Sequence, residues 1–116
     1  MHGVPVSIKD QVDIEGADTT MGLTHKINRP ATTDATLIRV IREAGGIPFT
    51  KSNVPQTMLS FECGNPLFGA SRNPYDPTRI PGGSSGGEGA LLGSDGSPLG
   101  IGSDMCVSFP AYSCMC

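Results

Sequence analysis

The sequence contains no tryptophan, only two tyrosines and four phenylalanines, and charged residues make up just 16% of it. Net charge is −3 and no Lys/Arg cluster occurs, so there is no electrostatic footprint for nucleic acid. Long hydrophobic runs are missing too. The apolar stretches are a few residues each, too short to cross a bilayer, and no signal peptide is visible. The cysteines are Cys63, Cys106, Cys114 and Cys116. Cys114-Met115-Cys116 lacks the usual two-residue gap and has no second pair, so the set fits no zinc template and no metal is expected. A reduced, intracellular protein is the expected setting.

What is abundant is glycine, with sixteen residues, and proline, with ten. Such a loop-rich composition is a lean basis for a self-contained core, and further chain is expected to cover it. The glycines concentrate at Pro81-Gly82-Gly83-Ser84-Ser85-Gly86-Gly87-Glu88-Gly89-Ala90. Glycine is placed where the backbone takes φ > 0 or approaches something closely, so a serine pair among four glycines suggests hydroxyl chemistry at a rigid site. Two other readings stand beside it: a flexible linker, and an anion cradle of glycine amides at a helix N-terminus. The run has neither Gly-Lys-Ser/Thr nor the dinucleotide fingerprint.

Along the chain the signals alternate in the α/β manner. Val4-Pro5-Val6-Ser7-Ile8 reads as a short strand ended by Lys9-Asp10, and residues 10–33 as loop. Thr33-Asp34 are predicted to cap a helix from Ala35 to Ala44. Its apolar stripe is Leu37, Ile38, Ile41 and Ala44, with Arg39 and Glu43 paired on the wet face. Gly45-Gly46 stop it, and Ile47-Pro48-Phe49-Thr50 is the next strand. That order predicts a right-handed crossover and a parallel pair. A short helix is predicted from Gln56 to Phe61, an extended excursion over 64–83, a small-residue helix from Gly86 to Gly93, and a strand from Ser97 to Ser103. Lys9 falls at a strand's carboxyl end, where open α/β sheets place ligands. Burial there would lower its pKa and free a neutral amine to act as a base; the bland alternative is a surface lysine.

Three separated motifs carry a resemblance. Gly3-Val4-Pro5-Val6-Ser7-Ile8-Lys9-Asp10, the run from Pro81 to Ala90, and Gly102-Ser103-Asp104 together resemble the amidase signature family. Asn53-Val54-Pro55-Gln56, Cys63-Gly64-Asn65-Pro66-Leu67-Phe68-Gly69 and the stretch from Gly93 to Gly102 are most similar to its fatty-acid amide hydrolase branch. The resemblance covers residues 2 to 104. It implies an α/β fold with a mixed central sheet flanked by helices, and cleavage of the C–N bond of lipophilic amides without a cofactor. It also implies a Ser–cis-Ser–Lys triad, in which Lys9 is the base, Ser84 the relay serine after a cis peptide bond, and Ser108 the nucleophile. Ser85 supports the loop, and backbone N–H groups of Met105, Cys106, Val107 and Ser108 hold the oxyanion. His2 and His25 have no part in such a triad. For the full-length family it further implies membrane association, or else a cytoplasmic location, and a homodimer.

Two departures from the family bear on this. After the aspartate the family reads apolar-Gly-Gly-Ser-Ile-Arg-apolar-Pro, whereas this chain has Asp104-Met105-Cys106-Val107-Ser108-Phe109-Pro110. One alignment sets Ser108 on the nucleophile; another sets Val107-Ser108 opposite Ile-Arg and leaves no nucleophile. Cys106 and Val107 would be strained wherever the replaced glycines need φ > 0. Family enzymes are also several times longer. Residues 1–116 are therefore expected to be a partial amidase signature domain, truncated at both ends and divergent over 105–116. Such a piece is either an active hydrolase or an inert or regulatory fragment, with sheet edges and apolar helix faces exposed.

Overall fold

A computed structural model describes residues 1–104. Its centre is a parallel sheet in the order β2-β1-β5, formed by β1 (Pro5–Lys9), β2 (Ile47–Ser52) and β5 (Gly100–Ile101). Between the first two runs helix α1 (Thr36–Glu43), and before the third runs α2 (Gly86–Gly93). A two-residue antiparallel ladder, β3 (Gly64–Asn65) with β4 (Gly69–Ala70), lies in the excursion between. The alternation read from the sequence is thus an α/β fold.

The two faces of β1 have different tasks, because side chains alternate across a strand. Val6 and Ile8 point to one face and form the core with Ile38 and Ile41 of α1. Ser7 and Lys9 point to the other, where their side chains meet residues of the Ser84–Glu88 segment. All four are buried, as expected of a central parallel strand covered on both faces.

Several local expectations are corrected. No side chain caps α1: Ala35 occupies the cap position. The Asp34 carboxylate is engaged elsewhere, accepting the Glu15 N–H at 2.8 Å and pairing with Arg42 at 2.9 Å. Leu37 and Ala44 are exposed, so the buried stripe narrows to Ile38 and Ile41. Arg39 turns to Thr36 Oγ1, at 3.1 Å, instead of Glu43. The helix predicted from Gln56 to Phe61 is one 3₁₀ turn over Gln56–Met58, with Thr57 and Met58 at φ 56° and 62°. The Thr57 N–H is claimed by Met21 O at 3.0 Å, which breaks a helical ladder before it starts. The last strand is only two residues long, Gly100–Ile101, and just before it Leu99 O accepts the Ser7 N–H of β1 at 2.9 Å. In the excursion, Asn65 Oδ1 accepts the N–H groups of Leu67 and Phe68, an Asx turn that closes the small ladder.

Candidate active site

Lys9 ends β1 and is 1% exposed. Its Nζ lies 2.6 Å from Ser84 Oγ, 3.0 Å from Ser103 O and 3.1 Å from Ser103 Oγ. An ammonium can donate to all three oxygens. A neutral amine can donate to two of them and accept from a hydroxyl, and two of the three are hydroxyls. The site therefore accommodates both protonation states. Burial pushes the Lys9 pKa below the ordinary lysine value, against the opposing pull of Asp104, Cys63 and Glu88. The surface-lysine reading does not hold.

Ser84 is delivered by a tightly packed turn. The Gly83–Ser84 peptide is cis, and Gly82 sits at φ 87°. A Cβ on Gly83 would stand 2.7 Å from Phe61 O and 2.8 Å from Ser60 O, so backbone leaves room for glycine alone. Ser85 is tied to the chain two residues past β5: its Oγ donates to Ser103 O at 2.9 Å and accepts the Ser103 N–H at 3.1 Å. Then α2 begins, with Gly86 against Cys63 and Gly87 against the Asn53 backbone, where a Cβ would collide in both cases. The run is packed and largely buried, which removes the linker reading. The anion-cradle reading does not fit either, because the Gly87 N–H is committed to Asn53 O at 3.2 Å.

The fold thus brings together Lys9, Ser84 and Ser85 from opposite ends of the sequence. Met105, Cys106, Val107 and Ser108 lie outside the described residues. Beside Ser84 is a pocket of about 160 Å³ lined by Met58, Leu59, Phe61, Gly83 and Asp104 among others.

Sequence reasoning missed four participants. Ser103 holds Lys9 through two atoms and donates its hydroxyl to Gln11 Oε1 at 2.9 Å. Ser7 and Glu88 form a second polar contact beside the first, at 2.6 Å. Two signals could have found that pair: Ser7 is two residues before Lys9, hence on its strand face, and Glu88 is the single charge in an otherwise small and apolar helix.

Comparison with known proteins gives the family. The sequence model of the family described as Amidase matches residues 1–116. The chain is 46% identical over 116 residues to fatty-acid amide hydrolase 1 of Sus scrofa, covering 98% of this chain and 20% of that protein. It is 50% identical over 105 residues to fatty acid amide hydrolase 1 of Caenorhabditis elegans, covering 90% and 18%. A solved structure of a fatty acid amide hydrolase superposes with a TM-score of 0.86 at 32% identity, over 90% of this chain and 18% of that one. A 6-aminohexanoate cyclic dimer hydrolase complexed with substrate gives 0.81 at 32% identity, over 85% and 21%. The chain spans about a fifth of the length of the curated relatives it matches. A family match over the whole chain, joined to close structural likeness at this identity, makes the chain a member of the amidase family.

Proposed function

We propose that the protein serves the hydrolysis of lipophilic amides through a Ser–cis-Ser–Lys relay. The observation that carries this is the 2.6 Å contact between the buried Lys9 Nζ and Ser84 Oγ. An amide is a poor electrophile, so the attacking hydroxyl must lose its proton as it attacks and the leaving nitrogen must gain one. Neutral Lys9 accepts the Ser84 proton while Ser84 Oγ accepts that of Ser108. The Ser108 oxygen bonds to the carbonyl carbon, and the oxyanion is held by N–H groups of residues 105–108. As the C–N bond breaks, the relay runs backward and the amine leaves with the proton; water then releases the acyl group. The lipophilic character of the substrate is supported by the relatives' names and by Met58, Leu59 and Phe61 around the pocket. The same reading puts the protein inside the cell, in the cytoplasm or against a membrane. Among the described residues no helix is long and apolar enough to cross one.

A serine-directed fluorophosphonate probe and a long-chain fatty amide test the proposal. Labelling is expected and is lost in Ser108→Ala. Lys9→Ala and Ser84→Ala each slow amide hydrolysis by about 10²–10⁴-fold. Absence of labelling and turnover sinks it and favours the second reading, a fragment that keeps the fold signature without catalysis. That reading draws on one feature: Cys106 and Val107 stand where the family has glycine.

A further inference from the structure

Glu88 is 3% exposed, and among the described residues it makes no salt bridge. Its Oε2 accepts the Ser7 hydroxyl of β1 at 2.6 Å. A Cβ on Gly100 of β5 would run into the same carboxylate oxygen. Ser52 of β2 faces the carboxyl as well and, with Ser7, partly offsets the rise in pKa that burial imposes on it. Even so, Glu88 Oε1 and Ser52 Oγ are both buried without a hydrogen bond of ordinary geometry. One acidic side chain from the first turn of α2 therefore reaches all three strands of the sheet.

The placement is informative because of what the rest of α2 is. Its sequence is Gly-Gly-Glu-Gly-Ala-Leu-Leu-Gly, and its buried residues are Gly86, Gly87 and Glu88. Helices find their height on a neighbour by fitting side-chain ridges into grooves, and glycines have no ridge to offer. A buried ionisable group is a poor source of stability but an effective device for setting register. Ser7 and Lys9 are two residues apart on one strand face, and Ser84 and Glu88 are four apart across the entry to α2. Ser7–Glu88 and Lys9–Ser84 are thus two rungs between β1 and the continuous Ser84–Glu88 segment that leads into α2.

We propose that Glu88, through its bond to Ser7, is a positioning residue that fixes α2 at the height on β1 where Ser84 meets Lys9. This rests on reading Lys9 and Ser84 as the catalytic base and relay. The charged or titratable groups facing Lys9 are Asp104, Cys63 and Glu88. Ser7→Ala is therefore the cleanest probe, since it breaks the rung and changes no charge.

The test uses the 116-residue protein and its Ser7→Ala, Glu88→Gln, Glu88→Ala and Ser7→Ala/Glu88→Ala variants. One readout is kcat and KM for a long-chain fatty amide. The other, independent of turnover, is the titration of Lys9 followed by competitive acetylation and mass spectrometry. Ser7→Ala and Glu88→Ala are each expected to lower kcat about tenfold or more, with KM changed by less than about twofold. The double variant is expected to be no worse than the poorer single one. Glu88→Gln still accepts from Ser7 and restores kcat to within about threefold of the parent. In Ser7→Ala the Lys9 midpoint moves up, because a loosened rung admits water to Nζ. An unchanged Lys9 midpoint in Ser7→Ala, or full additivity in the double variant, overturns the proposal. If the parent hydrolyses nothing, the hydrolase reading fails by itself; the Lys9 midpoint in Ser7→Ala still decides the rung. If Glu88→Ala does not fold, Ser7→Ala and Glu88→Gln supply the comparison.

Discussion

At the scale of single residues, two buried ionisable groups sit close together with their pKa values pushed toward each other. Desolvation lowers Lys9 and raises Glu88, while each charge partly offsets the other's shift. For Lys9 the catalytic consequence is direct. Only the neutral amine can take a proton from Ser84, so hydrolysis is expected to rise with pH through a midpoint below the ordinary lysine value of 10.5. A pH–rate profile checks this, and a midpoint at or above that value counts against Lys9 as the base. For Glu88 the consequence is thermodynamic. A carboxyl whose folded pKa is raised contributes stability that is present below 4.5, its ordinary value, and lost as pH rises through the folded one. The Glu88→Gln melting temperature is therefore expected to gain on the parent's as pH goes from about 4 to about 8. A pH-independent difference would show that Glu88 does not titrate as its burial requires.

At the scale of elements, glycine acts through what it excludes. Gly87→Ala in α2 would gain about 1 kcal/mol from helix propensity alone. Here the new Cβ meets the backbone nitrogen and oxygen of Asn53, atoms that cannot move without dismantling the loop after β2. Overpacking of this kind costs about 1–3 kcal/mol, so the net sign is destabilising. Urea unfolding measures it, and a stabilised Gly87→Ala would mean that α2 stands further from Asn53. Helix α1 offers a contrast. Ile38 is fully buried against β1, so Ile38→Ala is expected to cost about 2–5 kcal/mol. Exposed Leu37→Ala stays within about 0.5 kcal/mol. Equal losses would mean that α1 packs through a different face.

At the scale of the whole molecule, the described surface exposes several large apolar side chains. Leu59 is 72% and Tyr75 73% exposed, and Phe61, Phe68, Ile47 and Phe49 are exposed as well. The two outer strands of the sheet, β2 and β5, present unpaired edges among the described residues. Concentration-dependent self-association is expected, measured by sedimentation velocity across about a hundredfold range of protein concentration. A sharp monomer throughout that range would show that this surface is adequately solvated.

Much of this molecule is legible locally. The strand–helix–strand start, the helix over 86–93 and the place of Lys9 at a strand's end follow from periodicity and turn residues that are neighbours in the chain. Local reading fails where a side chain has a distant partner. Asp34 is a sound helix cap by type, yet it is drawn to Glu15 and Arg42. Ser103 and Glu88 look unremarkable in sequence and prove to hold Lys9 and Ser7 across 94 and 81 positions. The sequence by itself determined which groups are available: a lysine, a serine pair in glycine, and the family motifs in order. Only the tertiary structure decided which of them touch. The return of α2 and β5 onto β1 removes water from Lys9 and sets its nitrogen against Ser84, and no local pattern encodes that desolvation.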